Sequence, residues 1–114
     1  GACGSMSGGV DIRPFPNNWE MKDLLGDYDK NAEQWEKHTV INQIHKIKPN
    51  SLAIIIDCGI DDFFYEVNER LHRLLIYNNI PHDYIVRPGA HTHDYWHNAI
   101  DYQLLFFKKY FSRK

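Results

Sequence analysis

Cysteine is scarce in this chain: Cys3 and Cys58 are the only two among 114 residues. Two thiols without close spacing build neither a zinc site nor a disulfide framework, and they read as small residues beside a core or a site. There is no surplus of charge of one sign either. A formal net charge of −2 gives no basic face of the kind that nucleic acid or an anionic membrane surface requires. Long apolar runs are also missing, since the longest, Leu52 to Ile56, is far too short to cross a bilayer. No glycosylation sequon, internal repeat or signal segment is visible, and the compartment is left open. The expected partners therefore include no nucleic acid and no membrane.

What is present is enough chain for one domain, 43% hydrophobic and 14% aromatic, able to bury roughly two thirds of its unfolded surface. Residues 1–28 are rich in Gly, Pro and Asn and read as a turn followed by loop, with a short helix near Trp19 to Leu25. From Asn31 to Ile47, apolar residues fall at Trp35, Ile41, Ile44 and Ile47, and Pro49 closes the segment. Thr39 can cap a second helix there, so two short helices are expected.

"SLAIIID", Ser51 to Asp57, is a short β-branched run without polar alternation. That is how a strand covered on both faces reads, and such strands belong to parallel sheets. After it, Phe64, Val67, Leu71, Leu74 and Leu75 recur at helical spacing. "HDYIVRPG" is a second strand candidate. From His93 to Phe111, the residues Trp96, Ile100, Leu104, Phe107 and Phe111 make another helical stripe. Strands separated by amphipathic helices imply right-handed crossovers and a parallel α/β sheet. Two strands make a poor sheet, so the chain reads as part of a larger α/β unit.

Three polar spots follow predicted strand ends, where ligands gather in open α/β sheets. They are Ser5, in "ACGSMSGG", then Asp61–Asp62, then His91. A serine hydroxyl is a weak nucleophile that needs an imidazole to take its proton, and the imidazole needs a carboxylate to set its tautomer. Ser, Asp, His is the chain order of the α/β-hydrolase triad. The turn around such a serine is strained, so its neighbours must be small; the usual G-x-S-x-G reads C-x-S-x-S here. By itself a serine in a Gly/Ser-rich loop is more often an inert turn residue. Asp57, at a strand end, is expected to hold loop backbone.

"GSMSGG", "IIIDCGIDDFFYEVNERLH" and "RPGAHTHDYWHNAIDYQLLFF" together resemble the esterase D-like and tributyrin esterase-like branch of the α/β-hydrolases, in order and over nearly the whole chain. The resemblance implies the C-terminal part of an α/β-hydrolase fold, residues 1–114, with parallel strands and flanking helices, incomplete without N-terminal strands. It implies a serine carboxylic-ester hydrolase working through an acyl-enzyme, with Ser5 as nucleophile, Asp62 as triad acid and His91 as general base. By the family spacing the aspartate directly before the phenylalanine is the acid, which leaves Asp61 as a turn residue or helix N-cap. The backbone N–H of Met6 is implied as one oxyanion-hole donor. Tyr95 and Trp96 can line the site mouth, although helical spacing favours the core for Trp96.

No cofactor is implied. The expected partners are a small-molecule ester and either the N-terminal half of the fold or a second copy. His91, His93, Asp94 and His97 crowd one segment, but their spacing matches no familiar metal motif, and a polar helix start is the plainer account; no metal is expected. His38, His45, His72 and His82 read as ordinary surface or interface histidines. Two rival expectations stand beside the esterase: a hydrolase-like domain that binds without turnover, suggested by the altered elbow, and a metal-dependent hydrolase using the histidines.

Overall fold

The computed structural model describes residues Gly1–Arg113. Three parallel strands form one sheet in the order β1 (Ala2–Met6), β2 (Ala53–Gly59), β3 (Asp83–Arg87). Between β1 and β2 lie two short helices, α1 (Met21–Leu25) and α2 (Ala32–Lys37), and a 3-10 turn over Val40–Lys46. Helix α3 (Tyr65–Tyr77) crosses from β2 to β3, and α4 (His93–Ser112) follows β3.

The expectation of two strands is corrected by β1. Its residues, Ala2 to Met6, carry almost no β-branched signal, yet they pair in register with Ala53 to Asp57. Tertiary pairing with an apolar neighbour overrides weak local preference, as is usual for strands. The Gly1 carbonyl accepts from Ala53 and the Ser7 N–H donates to Asp57. By the alternation of a strand, the amides of Ala2, Gly4 and Met6 then point to the opposite edge.

One face of the sheet carries the main core. Ile54 and Ile56 of β2 pack with Ile41, Ile44, Leu71 and Leu75, so the apolar face expected for α3 is the one it buries. Each such side chain contributes about 1.5–3 kcal/mol when fully buried. The segment expected to hold two short helices does so, but the second is a 3-10 turn. Thr39 does not cap it: its hydroxyl donates back to the Trp35 carbonyl at 2.6 Å.

The other face is covered by α4, but not with the stripe expected. Tyr95, Ala99 and Gln103 are buried, while Ile100, Leu104 and Phe111 are 39%, 58% and 75% exposed. The cause lies at Gly4. Its missing side chain leaves a space that the Gln103 amide fills, and Gln103 Nε2 donates to the Ser5 carbonyl at 3.2 Å. That seat rotates the apolar stripe off the sheet.

Candidate active site

Two turns at the C-terminal edge of the sheet are stitched together. The Ile60 N–H donates to the Arg87 carbonyl at 3.0 Å, and the Asp61 N–H donates to the Gly89 carbonyl at 2.8 Å. Gly59 and Gly89 touch so closely that any Cβ on Gly59 would collide with the Gly89 carbonyl. Gly89 itself sits at φ 138°, a conformation other residues rarely adopt. The turn after β2 and the turn after β3 are thereby locked side by side, each carrying one polar group into the same space.

Those groups are Asp62 and His91. The Asp62 carboxylate is buried; one oxygen accepts from the Phe64 N–H at 2.8 Å and the other faces His91 Nδ1 at 3.0 Å. The His91 side chain is 30% exposed, so it can still be reached. A carboxylate on Nδ1 selects the tautomer that carries its hydrogen there and leaves Nε2 as the free base. The ring is held between Phe63, with centroids 4.5 Å apart, and Trp96, edge-on at 4.8 Å. Asp61, in contrast, is exposed and uses its backbone N–H in the stitch.

Ser5 lies elsewhere. It is inside β1, opposite Ile56, not on a turn. Its side chain shares an apolar groove with Val10, Ile44, Ile54 and Leu71. Past Met6 the chain runs into a loop, and no helix begins before Met21. The strand–turn–helix context that exposes a nucleophile is therefore absent around Ser5, and the reason is the register: β1 absorbs the "GSM" stretch into its ladder. Met6, expected to supply an oxyanion donor because it follows Ser5, closes the strand and turns its amide to the open edge.

Ser7, two residues on, is linked to the pair through Trp96. It is buried, sits at φ 57°, and accepts from Trp96 Nε1 at 2.9 Å. A left-handed serine is uncommon. Trp96 thus lies beside the pair, half-buried, bridging His91 to the end of β1. Tyr95 is placed otherwise than expected: it is buried, and its hydroxyl donates to Asp57 instead of lining a mouth. Burial, and then the bond to Asp57, push the Tyr95 hydroxyl well above its ordinary pKa, so it remains a donor.

Asp57 holds side chains where loop backbone was expected. Besides Tyr95 it takes Arg87 Nη2 at 2.9 Å, and the Arg87 guanidinium lies 4.3 Å over the Tyr95 ring. Asp57 is fully buried and Arg87 partly so, and the pair ties β2 to β3 and α4 beneath the site. Cys58, between Asp57 and the turn, is fully buried. Burial and the nearby Asp62 and Asp57 carboxylates push its thiol up to about 12, so the thiol stays protonated and inert as a nucleophile. Cys3 is exposed. His93, Asp94 and His97 are exposed on the first turns of α4, and among the described residues no three metal-ligating side chains converge.

No protein-family model and no curated protein matches the chain. Solved structures do. The chain is similar to a ferulic acid esterase at 25% identity and a TM-score of 0.68, over 93% of this chain and 40% of that one. It is similar to FphF, a fluorophosphonate-binding serine hydrolase of Staphylococcus aureus in a substrate-bound structure, at 19% identity and a TM-score of 0.69. That match covers 92% of this chain and 43% of the other. The chain has a partial α/β-hydrolase fold, and the proteins it resembles in structure are serine hydrolases and esterases. It spans less than half the length of either.

Proposed function

We propose that this chain carries the acid and the base of a serine esterase. Asp62 orients His91; His91 Nε2 takes the proton of a serine hydroxyl as that oxygen attacks the ester carbonyl, and returns it to the departing alcohol. Water then cleaves the acyl-enzyme by the same proton path, and no cofactor enters. The observation that carries the reading is the 3.0 Å Asp62–His91 contact, locked by two turns at the end of a parallel sheet and followed by α4. The ferulic acid esterase supports an ester as substrate, and the motifs suit the esterase D-like and tributyrin esterase-like branch.

The nucleophile in this reading is neither Ser5 nor Met6's neighbour Ser7. Ser5 faces an apolar groove, and Ser7 is buried under Trp96 without a helix behind it. We place the nucleophile on a strand that pairs with the open edge of β1, contributed by another part of the same α/β-hydrolase domain. Trp96 of α4 touches His91 on one side and Ser7, just past β1, on the other, which supports placing the serine on the β1 side.

A fluorophosphonate probe applied to the full-length protein, followed by peptide mapping, tests this. One serine outside Ser5 and Ser7 should be labelled. Labelling should be lost in His91→Ala, with hydrolysis down on the order of 10³-fold or more, and kept in Ser5→Ala. A label mapped to Ser5 would reinstate it as nucleophile, and labelling indifferent to His91→Ala would remove the acid–base pair from the chemistry.

A further inference from the structure

Beside His91 lies a cluster of aromatic rings that the acid–base chemistry does not use. Phe63 stacks near the imidazole, and Trp19 stacks on Phe63 at 5.8 Å with 29° between the rings. Phe15 and Phe64 support them from below, with Phe15 5.3 Å from Trp19 and Phe64 5.3 Å from it as well. Phe64 is buried, whereas Trp19 and Phe63 are 49% and 50% exposed. The shelf is therefore half foundation and half open surface.

Trp19 is held there at a conformational cost. It sits at φ 52° and the next residue, Glu20, at φ 58°. Left-handed backbone at a bulky residue is an outlier, and two in succession persist only where the surroundings over-determine them. The loop that carries Trp19 is pinned upstream by the Asp11 carboxylate, which takes Arg13 Nε at 2.9 Å and Nη2 at 2.9 Å. Strain of this kind clusters at ligand clamps. The core does not need the Trp19 ring, since half of it faces solvent.

We infer that Trp19 and Phe63 form a specificity-determining shelf that takes an aryl group of the ester by ring stacking. The inference rests on the Asp62–His91 reading for its place in the reaction. Polar recognition has little to offer at this spot: both Asp62 oxygens and the Ser7 hydroxyl are already engaged. Recognition falls to ring faces, and the shelf begins one ring away from the general base. The aryl group can belong to the acyl side or to the alcohol side of the ester.

Three simple esters distinguish these sources in the full-length protein: ethyl benzoate, benzyl acetate and ethyl acetate. Trp19→Gly removes the ring while leaving a residue free to hold φ 52°, and Trp19→Phe restores a ring. Trp19→Gly should lower kcat/KM roughly 3- to 10-fold for one aryl ester, through KM, with ethyl acetate unchanged and Trp19→Phe recovering most of the loss. A fall on ethyl benzoate places the ring on the acyl side; a fall on benzyl acetate places it on the alcohol side. Equal losses on all three esters, or no loss on any, would overturn the shelf. In His91→Ala, saturation-transfer NMR of the ring protons of the affected aryl ester should still show binding, weakened by a similar factor on adding Trp19→Gly. Binding there that ignores Trp19 sinks the shelf, while hydrolysis surviving His91→Ala sinks the acid–base reading instead.

Discussion

Gly59→Ala is the sharpest test of how the site is assembled. The φ of Gly59 lies outside the left-handed region, so alanine meets no backbone penalty there; only space is at issue. The added methyl would stand 2.6 Å from the Gly89 carbonyl carbon and 3.1 Å from the Ala90 nitrogen. Ordinary contact is about 3.5–4 Å, so the two turns must part by roughly 1 Å. Overpacking of this kind costs about 1–3 kcal/mol, enough to lower Tm by several degrees. The same parting carries the 3.0 Å Asp62–His91 contact toward 4 Å, beyond hydrogen bonding. A displacement of about 1 Å in a catalytic group can cost on the order of 10²-fold in rate. Thermal unfolding followed by circular dichroism, with initial rates of ester hydrolysis, reads both effects in the full-length protein. Gly1→Ala is the control, because a Cβ there meets only Leu52 at 4.0 Å. Wild-type Tm and rate in Gly59→Ala would show that close packing of the two turns does not set the acid–base distance.

Asp62→Asn should reduce turnover on the order of 10⁴-fold by stabilising the wrong histidine tautomer, while Asp61→Asn stays within a few-fold; steady-state rates rank the two, and the reverse order transfers the acid role to Asp61. A pH effect belongs to a pair of histidines away from the site. His72 Nδ1 lies 2.7 Å from His82 Nε2, and burial first, then His82, hold His72 below the ordinary histidine range, with Glu69 opposing and Arg73 reinforcing the shift. The unfolded chain then binds that proton more readily than the folded one. Stability from this group is complete above about pH 6.5, declines as pH falls below it, and levels off once the depressed folded value is passed. Urea midpoints at pH 7.5 and 5 should therefore differ less in His72→Gln than in the wild type.

Much of the architecture is written in local pattern. The β-branched run before Asp57 and the 3.6-residue spacing from Phe64 to Leu75 are strong periodic signals, and the structure places β2 and α3 on them. That Asp61–Asp62 and His91 follow strands was legible in the sequence; the choice of Asp62 came from the family resemblance, and its burial and its contact with His91 came from the fold. Other features depend on contacts between segments remote in sequence. β1 has no apolar signature of its own and exists through its ladder with Ala53 to Asp57; that pairing is what takes Ser5 off a turn and into a strand. The face of α4 that is buried is decided by the gap at Gly4, 99 positions away from Gln103 in effect on packing though both read as ordinary polar or small residues in sequence. Trp19 and Phe63 are separated by two helices and a strand, and no periodicity relates them. Side-chain period reports which residues of one element share a face, whereas only the folded chain decides what that face meets.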